Sequence, residues 1–570
     1  MTLVSARSFA HTDAHTGART GGNTYANPLD NPLYYLENFH RVLAWIGERY
    51  DDLLAPDERD FLQRFPTLPQ ASRALLVRMV MRKGTIFRAS KLSYVEIGDT
   101  HAAALPLAAA GLIDHDPQLD LDQLFELLQK PEISKIFQLG ANVRHLRKAD
   151  QLAALREQFS TPQPYSLWWP ESGDHAYCNL VQDLCDRLRL IFFGNFHQDW
   201  TEFVLSDLGI FQYEKVDFPA AARGFRTRRD IDDFLALHRC RERFELGEDP
   251  AAIMADLPAC ADDNEWLLSR RHKFTFAIGQ HLEKLRDWPA AHAVYAACPY
   301  PGARARAIRV LEKDEQPRAA FDLLQQAMAA PETEAERQQL LRMAPRLARK
   351  LGHAKPPPTP PVTPQRIDLS LPPPSEHHYV EFVVRDHLAR DDAPVYYVEN
   401  ALINSLFGLL CWDAVFCPVP GAFFHPYHRA PADLHSADFQ RRRAAQFAAC
   451  FAQLDSGEYR ATIRANHGAK RGIASPFLHW GAIGDELLEL ALDCIPPAHL
   501  RRAFERILQD VKANRTGFPD LIQFWPAERR YTMIEVKGPG DRLQDNQLRW
   551  IDYCATHDMP VTVCYLQWAA

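Results

Sequence analysis

The sequence has no surplus of positive charge, no closely spaced cysteine pair and no long apolar run. Lys and Arg number 65 against 73 Asp and Glu, a formal net charge of −8, with an isoelectric point near 6.3. A protein that coats nucleic acid over its whole surface needs an excess of cations facing the phosphates, so any such contact here must be a local patch. The 11 cysteines are scattered and contain no C-x-x-C, which argues against a zinc knuckle or a redox dithiol. No uncharged apolar stretch approaches the roughly 20 residues of a membrane helix. The opening "MTLVSARSFAHTDAHTGARTGGNTY" also lacks the continuous apolar core of a secretory signal. The expectation is a reducing, cytoplasmic setting with no membrane partner.

What is present is length and helical periodicity. A chain of 570 residues is too long for one core and implies several domains. Residues 1–26 are expected to be a disordered leader. From there to residue 215 the pattern is helical and begins with "NPLYYLENFHRVLAWIGERYDDLL", where Leu36, Phe39, Val42, Leu43 and Ile46 recur at helical spacing. Between Arg73 and Tyr94, "RALLVRMVMRKGTIFRASKLSY" carries cations and no acid. This makes Arg82, Lys83, Arg88 and Lys91 candidate phosphate contacts, against the competing reading of a solvated helix face. Residues 216–354 read as Ala-rich helical hairpins, with Pro289 and Pro317 at equivalent helix starts and Ala291 matching Ala319. They resemble degenerate tetratricopeptide repeats, with Arg304, Arg306 and Arg309 as further candidate phosphate contacts. Residues 355–375 form a Pro-rich linker, with nine prolines in positions 355–374. Residues 376–570 are long enough for a separate domain.

The chemistry concentrates in that last domain. "DLIQFW" and "YTMIEVK" read as two strands of a hairpin joined by "PAERR"; "RLQDNQLRWIDYC" reads as a helix and "PVTVCYLQW" as a closing strand. Asp520 opens the first strand, while Glu535 and Lys537 stand two apart on the second and therefore share a sheet face. Two carboxylates brought together repel unless a cation intervenes, and an all-oxygen ligand set suits Mg²⁺ or Mn²⁺, one or two per site. Lys537 supplies a cation able to orient the attacking water. Further upstream, "YYVENALINSLFGLLCWDAVF" is expected to place Glu399 on a helix beside a buried apolar stripe, where a carboxylate needs a metal or an arginine. The basic stretch "YRATIRANHGAKRG" offers Arg464 and Lys470 to DNA, and "VKANRTG" offers Arg515. His425 and His428 lack a second cluster of soft ligands, so zinc is not expected.

The residues Pro519-Asp520 and Glu535-Val536-Lys537 resemble the PD-(D/E)xK nuclease signature. The longer strings "GFPDLIQFW" and "EVKGPGDRLQDNQLRW" resemble its VRR-NUC branch. That resemblance implies Glu399, Asp520, Glu535 and the Val536 carbonyl as metal ligands, with Asp520, Glu535, Lys537 and Gln547 as the catalytic set. It also implies Arg542 near the cleaved phosphate. Together with the N-terminal text and the repeats, the chain resembles a Fanconi-associated nuclease of bacterial type. The implied fold is multidomain and mainly α, with a SAP-like DNA-binding region at about 73–150, tetratricopeptide-like repeats and a C-terminal α/β PD-(D/E)xK nuclease domain.

The implied activity is phosphodiesterase I type. It is divalent-metal-dependent cleavage of 5′-flap and branched double-stranded DNA, with 5′-to-3′ exonuclease action, in interstrand crosslink repair. The enzyme would be cytoplasmic and nucleoid-associated when on DNA. Two other readings compete: a four-way junction resolvase and a non-catalytic junction scaffold. The sequence departs from some relatives in having Asn546 where they place a lysine, and in lacking a ubiquitin-binding zinc finger.

Overall fold

The computed structural model describes residues 31–199, 212–261, 263–353, 364–373 and 379–569. The disordered leader expected at 1–26 lies outside them. Two compact units emerge. Of the described residues, one unit holds 31–40 and 69–179, and the other holds 41–68, 180–199 and those from 212 onward. The boundary drawn at residue 215 is therefore corrected. Two segments of the N-terminal part pack with the repeats and nuclease, because their apolar faces find partners there: Trp45 meets Phe192 and Phe218 edge-on.

In the first unit, helix α1 (Gln70–Val80) leads to a three-stranded sheet in the order β1-β3-β2. Its strands are β1 (Ile86–Arg88), β2 (Ile113–Asp114) and β3 (Ala176–Asn179). Between β1 and β2 lies α2 (Thr100–Ala109), whose first backbone N–H groups are capped by Asp99. Helices α3 (Leu121–Leu127) and α4 (Lys130–Ile136) cover a core that includes Leu124, Phe125, Ile133 and Trp168. Arg88 is corrected from a DNA contact to a core residue. It is buried, and its guanidinium bonds Glu132 at 2.7 Å and Asp174 at 2.8 Å. Arg78 is likewise paired, with Glu96 at 2.6 Å. The segment looked uncompensated because its acids come from 18 to 86 positions away. Lys83 and Lys91 remain exposed without an acidic partner among the described residues, and exposed Arg82 caps the carbonyl of Lys91.

In the second unit, antiparallel neighbours α5 (Glu265–Leu285), α6 (Trp288–Ala296), α7 (Ala303–Lys313), α8 (Pro317–Ala329) and α9 (Glu334–Lys350) build the hairpin array. Pro289 takes the second position of α6 and Pro317 the first of α8, so the register shifts by one. The buried counterpart of Ala291 is Ala320, and Ala319 is exposed. The three arginines read as phosphate contacts are paired within the array. Arg304 binds Glu336 at 2.7 Å, while Arg306 and Arg309 both pair with Glu283.

The nuclease domain is built on a five-stranded mixed sheet of order β4-β8-β7-β6-β5. The strands are β4 (Gln365–Leu371), β5 (Val395–Tyr397), β6 (Leu521–Trp525), β7 (Arg530–Lys537) and β8 (Val561–Trp568). β6 and β7 pair antiparallel, as the hairpin reading expects, whereas β8 runs parallel to both β7 and β4. Strand β4 corrects the linker: residues 365–371, read as Pro-rich spacer, contain no proline and pair along the edge of β8. Helix α10 (Val380–Leu388) lies on one face, α11 (Leu402–Leu410), α12 (Ala444–Ser456), α13 (Tyr459–Ala469), α14 (Asp485–Cys494) and α15 (Pro497–Gln509) on the other, and α16 (Asp545–Thr556) connects β7 to β8. Among the described residues no helix is long and apolar enough to cross a membrane.

Candidate active site

The alternation of β7 makes the site. Ile534 and Val536 enter the core that contains Val384 of α10, while Tyr531 and Met533 enter the larger helical core on the other face. Glu535 and Lys537 continue the Tyr531–Met533 row, so charge replaces apolar bulk where the strand ends. Glu535 is fully buried, and the Lys537 ammonium stands 2.8 Å from its Oε1. Neither Glu535 oxygen receives a well-angled hydrogen bond.

Asp520 arrives from the residue before β6. Its Oδ2 accepts the Val536 N–H at 2.8 Å, and its carbonyl accepts the N–H groups of Val398 and Glu399 at 2.9 and 3.2 Å. Burial pushes the Asp520 carboxyl up to about 6, opposed by the Val536 N–H and Lys537 and assisted by Glu381 and Glu399. Burial and the Asp520 charge push Glu535 up to about 8. The protein thus holds two buried acids against their own repulsion, which is the electrostatic complement of a cation.

Glu399 is corrected in its surroundings. It is not on a helix but in the exposed turn between β5 and α11. Its carboxylate accepts from the Tyr397 hydroxyl at 2.5 Å and from the Asn400 amide at 3.1 Å. Among the described residues, no three His, Cys, Asp or Glu side chains stand together as a finished metal cage. The donor set nonetheless fits a hard divalent ion: two buried carboxylates, one with unsatisfied oxygens, and a third, Glu399, whose own backbone N–H bonds the Asp520 carbonyl.

Sequence reasoning missed the latch that sets this geometry. Asn400, in the left-handed region at φ 52°, accepts the N–H groups of Gly517 and Phe518 through Oδ1 at 2.8 and 3.2 Å. Asn404 joins the carbonyls of Asn400 and Arg515. The motif glycine, Gly517, has φ +94°, and a Cβ there would stand 2.8 Å from the Asn546 carbonyl carbon. Gly517→Ala is expected to destabilise the domain by about 1–2 kcal/mol and to slow cleavage by displacing Asp520, measured by denaturant unfolding alongside single-turnover rates. Asn546, noted for replacing a lysine, is this packing surface.

The remaining sequence-predicted residues divide. The Gln547 side-chain oxygen Oε1 accepts the Gln544 backbone N–H at 2.8 Å as part of the cap of α16, so its observed role is to start the helix. Arg464 pairs with Glu489 at 2.6 Å and Lys470 with Glu214 at 2.9 Å, so this stretch is compensated and not a bare basic face. Arg515 is half-buried. Arg542 is exposed in the loop that follows β7, with no ion pair among the described residues. Arg542→Ala is therefore expected to reduce the salt dependence of DNA binding by about one phosphate contact. Arg464→Ala is expected to leave it nearly unchanged, checked by affinities at two salt concentrations. The buried His425 ring stacks on that of half-buried His428, with centroids 4.1 Å apart.

A mixed sheet ending in Asp, Glu and Lys, with its helices on both faces, defines a metal-dependent nuclease of the PD-(D/E)xK class. Residues 454–568 match the VRR-NUC domain, 33–114 the FAN1 HTH domain, and 118–168 the Fanconi anemia-associated nuclease SAP domain. The basic segment 73–94 thus falls within the HTH match, and the SAP match begins well after the residue 73 expected for it. The chain is 54% identical over 535 residues to a Fanconi-associated nuclease 1 homolog of Pseudomonas aeruginosa, covering 94% of this chain and 96% of that one. It is 24% identical to the Arabidopsis thaliana homolog, covering 93% of this chain and 66% of that one. A crystal structure of paFAN1 bound to 2nt 5′-flap DNA with a gap superposes with TM-score 0.86 at 54% identity, over 95% of this chain and 99% of that one. A second, with a 1nt 5′ flap, gives 0.84, over 95% of this chain and 100% of that one. This chain belongs to the Fanconi-associated nuclease family and is a phosphodiester-cleaving hydrolase.

Proposed function

We propose that this enzyme cuts 5′-flap and related branched DNA with Mg²⁺ or Mn²⁺, trims from 5′ toward 3′, and serves interstrand crosslink repair in the cytoplasm. The observation that carries the reading is the match, over 95% of the chain, to a structure solved with a 5′ flap in place. Asp520, Glu535 and the Val536 carbonyl would hold the ion, with Glu399 completing the set by leaving Tyr397 and Asn400. When bound, the ion would polarise the scissile phosphate and lower the pKa of a coordinated water.

The protein's own part begins at Lys537. Its ammonium is held by Glu535 beside the reacting centre, where it orients the nucleophile and offsets charge building on the phosphate oxygens. The Val536 N–H fixes the Asp520 carboxylate, so little reorganisation is needed during reaction. Arg542, and Lys83 and Lys91 in the other unit, supply exposed positive charge for the DNA backbone, with Arg82 and Arg515 beside them in the chain's basic segments, whereas Arg464 and Lys470 are already paired with Glu489 and Glu214.

The test is the cleavage pattern on labelled 5′-flap, 3′-flap, four-way and linear duplex DNA with and without Mg²⁺. Preferential incision of the 5′ flap is expected. Equal cutting of all four, or symmetric cutting of the four-way junction by a dimer, would overturn the flap assignment.

A further inference from the structure

The rim of the site carries three aromatic rings that the reaction chemistry does not use. Tyr379 precedes α10 and is 75% exposed, Phe382 lies in the first turn of α10, and Tyr397 ends β5 and is 39% exposed. Tyr379 and Phe382 are 5.9 Å apart between centroids at 87°, and Phe382 and Tyr397 are 5.3 Å apart at 77°. The rings form one edge-to-face chain, with the Arg385 guanidinium 4.9 Å from the Phe382 centroid. The chain is physically tied to the catalytic centre. The Tyr397 hydroxyl donates to Glu399, and Glu381, the neighbour of Phe382, adds negative potential at Asp520.

Exposed rings in a row are costly to leave in water, and two of these three keep much of their surface open. Their surroundings, Glu381, Glu399 and Asp520, are acidic, and the one cation against the rings, Arg385, is paired with Asp386 at 2.6 Å, so the rim repels a bare phosphate. The attraction available at this rim is therefore between π faces. A base inside a duplex is already stacked on both sides, so only a base outside the helix can use these rings. The position beside Glu399 and Asp520 places such a base next to the phosphodiester to be cut.

We propose that Tyr379, Phe382 and Tyr397 form a stacking shelf for unpaired bases of the strand being cleaved, and that this shelf helps the enzyme favour branched over fully paired DNA. The inference rests on the DNA-cleaving function proposed above. It assigns specificity to side chains outside the metal site, with Tyr397 serving both the shelf and the hold on Glu399.

The test uses the full chain and flap DNA carrying 2-aminopurine at the unpaired nucleotide beside the junction, bound in Ca²⁺ to prevent turnover. Stacking quenches this fluorophore. The wild type is expected to quench it, and the Tyr379→Ala/Phe382→Ala double variant to lose most of the quench and about 10-fold of the flap-over-duplex preference in kcat/KM with Mg²⁺. Tyr379→Phe should retain both. The Mn²⁺-induced rise in Tm should be unchanged in every variant, since none of these side chains is assigned to the ion. Full quenching and unchanged preference in the double variant would overturn the shelf alone, because the wild type would still cut the flap. A wild type that leaves flaps uncut would overturn the proposed function and the shelf with it.

Discussion

Asp520→Asn and Lys537→Ala are each expected to lower the single-turnover cleavage rate by about 10³-fold or more with little change in DNA affinity. Asp520 is placed by three backbone contacts, to Val536, Val398 and Glu399. The asparagine amide preserves the shape but removes the charge that would attract an ion. Lys537 is held by a glutamate with no other partner, so its loss strips the centre of its one buried cation and leaves Glu535 uncompensated. Rates measured at saturating enzyme, with binding followed separately in Ca²⁺, separate a lost chemical step from lost affinity. Variants that cut at the wild-type rate would show that these side chains do not perform the reaction.

Glu535→Gln is expected to do the reverse to stability, raising that of the metal-free protein at pH 8.5 by roughly 3 kcal/mol while abolishing cleavage. Burial, and then the Asp520 charge, hold the Glu535 carboxyl up at about 8, against an ordinary value of 4.5. The native state therefore binds more protons than the unfolded chain between those values. Stability from this group is full below about pH 4.5 and is lost as pH rises toward 8. Asp520, raised to about 6, adds a smaller loss in the window from 3.8 to 6. The amide does not ionise, so the difference between variant and wild type should grow with pH in EDTA and vanish near pH 4.5. Added Mg²⁺ should restore the wild type at pH 8.5 and not the variant. Denaturant melts across pH, with and without the ion, provide the check, and a pH-independent difference would mean that the carboxyl is not held against its charge.

Much of the nuclease domain could be read in advance because its information is local. The period-two alternation of 530–537, the turn at 526–529 and the helical stripe at 545–556 each depend on a few neighbouring residues, and each appears in the structure. The ion pairs could not be read that way. Arg88, Arg464 and Lys470 looked free because a sequence shows only nearby acids, whereas Asp174, Glu489 and Glu214 reach them across 86, 25 and 256 positions. Glu399 was identified as a residue but not in its setting, since Asn400 breaks the helix before it can include that glutamate. The strand at 365–371 was missed because flanking prolines suggested a spacer, while its partner lies nearly two hundred residues later.

By itself, the sequence determined the chemical inventory: an aspartate at the start of one strand, and a glutamate and a lysine on one face of the next. Alternation and chain stereochemistry fix these without reference to anything distant. Only the tertiary structure decided which charges remain available, where Glu399 stands and which rings line the rim. Burial, Coulomb interactions and ring packing depend on distance in space, and folding brings together residues that the chain keeps far apart.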